Sequence, residues 1–156
     1  MTNDDLVQIH LIEQLKFRYL RHLDLKQWDD LADCFTPEAT ATYGAIPKID
    51  GRDAIIEFLS SSLSSTNMLT SHKAHHPEIN LLSNNQANGL WSLEDEVLVL
   101  DAAIEIRGCA IYQDEYVLSD TGWLIAHTGY RRIYEDTRPR PIEAHITAKW
   151  WDAPMP

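Results

Sequence analysis

The chain has 156 residues, 44% of them apolar, with 13 Lys and Arg against 24 Asp and Glu for a formal charge of −11. At this length roughly 68–70% of the unfolded surface can be buried, which supports one core and not two. The acidic excess repels phosphates, no basic patch offsets it, and no window nears about 18 consecutive apolar residues, so nucleic acid and membranes are excluded as expected partners.

Thr2 or Asn3 can cap a first helix that opens with Asp4 and Asp5. Leu6, Ile9, Ile12, Leu15, Tyr19, Leu20 and Leu23 then recur at spacings of three and four, which puts them on one face. At its end Asp24 stands between two leucines, directed either along the buried seam or toward the next helix as its cap. The acidic start, MTNDDLVQ, is unlike a signal peptide and predicts a cytoplasmic protein. A short second helix is expected from Gln27 to Phe35, with Trp28, Leu31 and Phe35 inward, stopped by Thr36-Pro37. Ala39 to Tyr43 reads as a strand. Asp50-Gly51 leads into a third helix with Ile55, Ile56, Leu59 and Leu63 inward, ended by the serines from Ser60 to Ser65.

From Thr70 the period changes to two, giving strands near 70–82, 86–98, 103–118 and 122–134 with turn residues between them. Helices followed by an antiparallel meander predict an α+β domain over residues 1–136, a curved antiparallel sheet wrapped around the N-terminal helices. Cys34 and Cys109, one placed in a helix and one in a strand, are too few for a disulfide framework and read as small core residues. Residues 137–156 form a tail of four prolines with Trp150 and Trp151, whose rings need a surface: a pocket lid or a subunit contact. One open sheet face beside that tail predicts a closed homo-oligomer.

Three of the seven histidines fall within Ser71-His72-Lys73-Ala74-His75-His76-Pro77-Glu78. On a strand His72 and His76 share a face and His75 points away, so the spacing splits the cluster and no metal is expected. A single histidine acting as general base, oriented by a carboxylate, fits the residues better. In Leu90-Trp91-Ser92-Leu93-Glu94-Asp95, strand geometry places Asp95 at the end of an inward apolar row; otherwise it belongs to a solvated acidic run with Glu94 and Glu96. Tyr19 lies five residues before Asp24 on the first helix, placed for packing or for the same cavity. Without a Gly-rich phosphate loop, a Gly-x-Ser-x-Gly elbow or a Cys-x-x-Cys pair, the chemistry expected is acid–base work by His, Asp and Tyr with no cofactor.

Several segments, in this order and spacing over roughly residues 5–135, resemble the SnoaL-like members of the nuclear transport factor 2-like superfamily. They are Tyr19-Leu20-Arg21-His22-Leu23-Asp24, Trp28-Asp29-Asp30-Leu31, Gly51-Arg52-Asp53-Ala54-Ile55, His72 to Ile79, Gly89 to Asp95 and Gly122-Trp123-Leu124-Ile125-Ala126. The enzymatic relatives include scytalone dehydratase, lindane dehydrochlorinase and the bile acid 7-alpha dehydratase. The resemblance implies a cone-shaped, cystatin-like α+β barrel around an apolar pocket, with a His–Asp pair at its floor that removes a proton while a leaving group departs. It implies His72 as the base, Asp24 as the acid that orients it, and Tyr19, Asp95 and Arg132 as further catalytic residues, with Arg131 the rival for the last position. His75, Trp91, Phe17, Phe58, Tyr112 and Tyr116 are the expected ligand-binding residues. The function implied is a cofactor-independent dehydratase- or isomerase-type lyase acting on a small hydrophobic polycyclic or aromatic molecule, which could be carried as a thioester. The alternative is a non-catalytic binding or assembly module of the same fold, as in the small subunit of ring-hydroxylating dioxygenases. The relatives imply a trimer ahead of a dimer.

Overall fold

The computed structural model describes residues 1–152, so 153–156 of the expected tail lie outside the described residues. Helix α1 (Asn3–Leu25) starts at Thr2, whose hydroxyl accepts from the Asp5 amide at 3.1 Å while the Asp5 carboxylate accepts from the Thr2 amide at 2.6 Å. It ends at Lys26, which takes a left-handed conformation (φ 58°) and donates its amide to the last carbonyls. The inward stripe runs through Ile12, Leu15, Lys16, Tyr19, Leu20 and Leu23; Leu6, expected on that face, is exposed, and the second turn meets the sheet through Gln8, whose carbonyl accepts from the Trp123 indole at 2.8 Å. Helix α2 (Trp28–Ala32) is shorter than expected. Cys34 sits in the turn after it, and Phe35 opens strand β1 (Phe35–Tyr43). Pro37, which has no amide to give, falls within the register shift of that strand. A two-residue strand β2 (Ile49–Asp50) and helix α3 (Arg52–Leu63) complete the first half.

The second half is four long strands, β3 (Met68–Ser83), β4 (Gln86–Val99), β5 (Ile104–Ser119) and β6 (Gly122–Pro139). Thr137 to Pro139, expected as the start of the tail, instead continue β6 by pairing with the first residues of β5. The order across the sheet is β2-β1-β6-β5-β4-β3. All neighbours are antiparallel except β1 and β6, which run parallel, so the sheet is mixed and does not close into a barrel. The odd pair arises because β1 joins the sheet beside the last strand of the meander rather than the first. Helix α1 packs on both β3 and β6, strands three places apart, which requires the sheet to curl around it. Inward rows alternate strictly: Trp91, Leu93 and Asp95 on β4, Ala110, Tyr112, Asp114 and Tyr116 on β5. Among the described residues no helix is long and apolar enough to cross a membrane.

Two local irregularities redirect functional side chains. On β6 the register shifts between Ile125 and His127, so inward parity passes from Trp123 and Ile125 to Thr128, Tyr130 and Arg132. Without that extra residue Arg131 would face inward; with it Arg131 is exposed. On β3 the register shifts between His75 and Glu78, where His76 has φ 49°. His76 therefore does not share a face with His72, as regular strand spacing predicts, but stands exposed in a bulge.

Candidate active site

Asp24, one residue from the end of α1, is aimed at β3. Its Oδ1 lies 2.6 Å from His72 Nδ1 and accepts the Thr70 hydroxyl at 2.8 Å, while Oδ2 accepts the His72 amide at 2.9 Å. Three contacts of one carboxylate with two residues fix both the carboxylate and the ring. Burial by itself raises the Asp24 carboxyl, but the hydrogen bonds and charge offered by His72, with Thr70 assisting, outweigh it and hold the group below its ordinary range. An ionised carboxylate only accepts, so His72 Nδ1 carries the shared proton, and it is Nε2 that holds the lone pair in the neutral ring.

That ring lines a cavity of about 260 Å³ together with Tyr19 and Leu23 of α1, Tyr43 of β1, Phe58, Leu59 and Leu63 of α3, Asp95 and Val97 of β4, Tyr112 of β5, and Tyr130 and Arg132 of β6. Asp95 pairs directly with His72 across β3 and β4, so the two side chains stand side by side. Its neighbours Glu94 and Glu96 point outward, which separates Asp95 from the acidic run. The Asp95 carboxylate receives both Arg132 nitrogens, Nη1 at 2.5 Å and Nη2 at 2.8 Å, and Arg132 Nε reaches Glu135 at 3.1 Å. The guanidinium also lies over the Tyr130 ring, 4.8 Å from its centroid. Hydrogen bonding to Asp95 pushes the already high Arg132 value further up, so the cation is permanent.

The floor is phenolic. Tyr19 and Tyr43 hydroxyls approach to 3.4 Å, and Tyr112 packs edge-on against Tyr19 with ring centroids 6.5 Å apart. Burial raises all three hydroxyls well above the usual tyrosine range, so they remain neutral donors. Behind that floor Lys16, wholly buried, sits 3.4 Å from the Tyr112 ring centroid and donates to Asp114 at 2.7 Å.

The structure thus brings His72, Asp24, Tyr19, Asp95, Arg132, Phe58 and Tyr112 together at one place. Four expected ligand-binding residues stand elsewhere. Phe17 is on the exposed flank of α1, edge-on to Trp91. Trp91 and Tyr116 are four strand positions from Asp95 and Tyr112, about 13 Å toward the sealed end, where the indole donates to the Tyr116 hydroxyl at 2.9 Å. His75 faces outward, 3.9 Å from Glu94. Among the described residues no three His, Cys, Asp or Glu side chains converge as a metal site. Sequence reasoning missed Thr70, Tyr43 and Gly108. The signal for the last was available: a lone glycine in mid-strand often marks a close approach. Here a Cβ would meet Arg132 Nη1 at 2.5 Å and Asp95 Oδ1 at 3.0 Å. Gly129, another mid-strand glycine, leaves room for Thr42 of β1 and does not touch the cavity. A larger depression of about 390 Å³ beside the start of α1 is lined by Asp4, Asp5 and Asn84 and holds neither histidine nor arginine.

Comparison with known proteins gives one family and one fold. A model of the SnoaL-like domain matches residues 4–129. A Novosphingobium aromaticivorans protein provisionally named a scytalone dehydratase is 24% identical, with a TM-score of 0.80 over 94% of this chain and 100% of its own. The hexachlorocyclohexane dehydrochlorinase LinA-type3 of Novosphingobium barchaimii is 18% identical, with a TM-score of 0.79 over 94% and 98%. A nuclear transport factor 2-like protein with a cystatin-like fold, also from Novosphingobium aromaticivorans, is 13% identical, with a TM-score of 0.69 over 82% and 83%.

Proposed function

The chain belongs to the SnoaL-like domain family, and on that premise we propose that it is a cofactor-independent dehydratase- or isomerase-type lyase acting on a hydrophobic polycyclic or aromatic substrate. One observation carries the reading: a histidine whose Nδ1 is held by a carboxylate at 2.6 Å and whose other nitrogen belongs to an aromatic cavity. The dehydratase and dehydrochlorinase named among the structural neighbours support it, since both names describe loss of a small molecule from a carbon framework.

In the proposed reaction His72 Nε2 takes a proton from the carbon beside the one bearing the leaving hydroxyl. The C–H electron pair becomes the new double bond as the C–O pair leaves with oxygen. The proton on His72 passes to that oxygen, water departs, and the base is restored. Asp24 stabilises the imidazolium between the two transfers. The Tyr19 and Tyr43 hydroxyls, fixed as neutral donors, face an oxygen on which charge gathers. In an isomerisation the same base would return its proton to another carbon.

The test is His72→Ala assayed on hydroxylated aromatic and alicyclic compounds turned over by the wild type. Turnover is expected to fall by about 10²–10⁴-fold, the range for general base catalysis, with the thermal midpoint little changed. Full activity in the variant overturns the assignment of the base, and a wild type that binds such compounds without turning any over makes the protein a binding module.

A further inference from the structure

We propose that the cavity selects an uncharged ligand of about two fused rings, and that Asp95 enforces the charge preference by occupying the guanidinium an anionic ligand would need. The inference rests on reading this cavity as the substrate site and goes beyond it to the class of molecule admitted.

Size and shape come from the walls. Tyr43 and Phe58 are stacked with centroids 5.9 Å apart and planes at 18°. Tyr130 lies 5.9 Å from Tyr43 at a tilt of 37° and meets Tyr112 edge-on at 5.6 Å, so the four rings form one continuous aromatic wall. Faces and edges in that wall suit a flat ring system. A cavity of about 150 Å³ accepts one benzene. The 260 Å³ here therefore matches two fused rings, whereas a four-ring skeleton asks for roughly 400–500 Å³ on the same scale.

Charge selection comes from the count of partners. Among the described residues Arg132 is the one lysine or arginine lining the cavity, and it is met by Asp95 through two nitrogens and by Glu135 through a third. One positive charge thus faces two negative ones, and Asp24 adds another behind His72. Two cations that pack beside lining residues are engaged as well. Lys16 is paired with Asp114 behind the phenolic floor, and Lys26 donates to the Leu63 carbonyl and lies over the Trp151 ring. A carboxylate or phosphate entering the cavity finds the Arg132 fork filled and meets net negative charge at short range. A hydroxyl or carbonyl meets only the phenols and the imidazole.

The experiment titrates the whole protein at neutral pH, by ligand fluorescence, with 2-naphthol, 2-naphthoate and 1-hydroxypyrene. The first two differ in charge at nearly constant shape; the third keeps the hydroxyl and doubles the rings. We expect 2-naphthol to bind at least about tenfold more tightly than either of the others. Asp95→Asn, which opens the guanidinium fork to the cavity, is expected to raise 2-naphthoate affinity by about tenfold or more while changing 2-naphthol affinity much less. Equal or tighter binding of 2-naphthoate to the wild type overturns the charge filter. Tighter binding of 1-hydroxypyrene overturns the size limit, and no binding of 2-naphthol overturns both. Should Asp95→Asn fail to fold, the wild-type affinities still decide. All are binding measurements, so they stand apart from the turnover test: a neutral two-ring preference in a protein whose His72→Ala variant keeps full activity would leave the filter intact and remove the mechanism.

Discussion

Helix α1 makes two ionisable pairs with the sheet, eight residues and about 12 Å apart, and they have opposite fates. Toward its middle Lys16 meets Asp114 with both side chains wholly out of solvent. Asp114 is closed in further by the Tyr116 hydroxyl at 2.8 Å and the Thr128 hydroxyl at 2.7 Å. Near its end Asp24 meets His72 with 20% and 11% of the side chains exposed, beside an open cavity. Every polar atom of the first pair has a partner inside the protein, so it can stabilise and specify packing but exchange no proton with a ligand. The second pair has one ring nitrogen uncommitted. A charged group buried among apolar residues does not by itself mark a site; an unspent atom facing a cavity does.

The comparison breaks most sharply at Asp114. Asp114→Ala would leave the Lys16 ammonium uncompensated among aromatic rings, and a loss of about 3–5 kcal/mol of unfolding free energy is expected from urea denaturation. Burial already pulls the Lys16 value down against the opposing pull of Asp114, so removing the carboxylate favours the neutral amine. The double variant Lys16→Met with Asp114→Asn removes both charges, keeps an acceptor for one of the Tyr116 and Thr128 hydroxyls and offers an N–H to the other, and should recover most of that loss. A single variant costing under about 1 kcal/mol would mean the sealed pair is not the keystone of that end.

A smaller effect belongs to the open end. Gly108→Ala places a methyl against Arg132 and Asp95, and because the guanidinium is held by two carboxylates and a ring it cannot simply swing aside. About 1–3 kcal/mol of destabilisation is expected. A shift in the ratio of 2-naphthol to 2-naphthoate affinity should accompany it, because the fork that Asp95 fills is the part displaced. Loss of stability with an unchanged ratio would separate the glycine from the charge filter.

How far this was readable in the chain differs between the same two regions. The four long strands were legible to within a few residues, because period-two alternation and Ser-Asn-Asn or Ser-Asp-Thr-Gly turns are local signals. The residues gathered at the cavity were legible through the resemblance, on short segments whose spacing survives. The sealed pair was not: Lys16 and Asp114 are 98 residues apart, and each looks like a surface charge on its own element. The choice between Arg131 and Arg132 was equally hidden. It rests on one extra residue near Ala126 that turns the second half of β6 over, and nothing in Leu-Ile-Ala-His-Thr announces a bulge. The parallel pairing of β1 with β6 escaped for a like reason, since it depends on which edge of the finished meander the chain finds open.

The mildest probe of the comparison is Asp24→Asn read against pH. The native pair holds the Asp24 carboxyl below its ordinary value of 3.8. A carboxyl depressed in the folded state contributes stability that is fully present above 3.8 and is lost as pH falls through the lower native value. The amide oxygen keeps an acceptor for the His72 ring and the Thr70 hydroxyl, gives up the one for the His72 amide, and has no charge to lose. At neutral pH the wild type should therefore exceed Asp24→Asn by about 1 kcal/mol in urea unfolding, and below about pH 4 that gap should close. Asp114, sealed with its ammonium, offers no such dependence to borrow, because its pair is present in both proteins and cancels in the difference. A gap that stayed constant from pH 7 to pH 3 would show that the carboxylate charge contributes nothing to the fold, leaving Asp24 an orienting acceptor for which asparagine serves equally well.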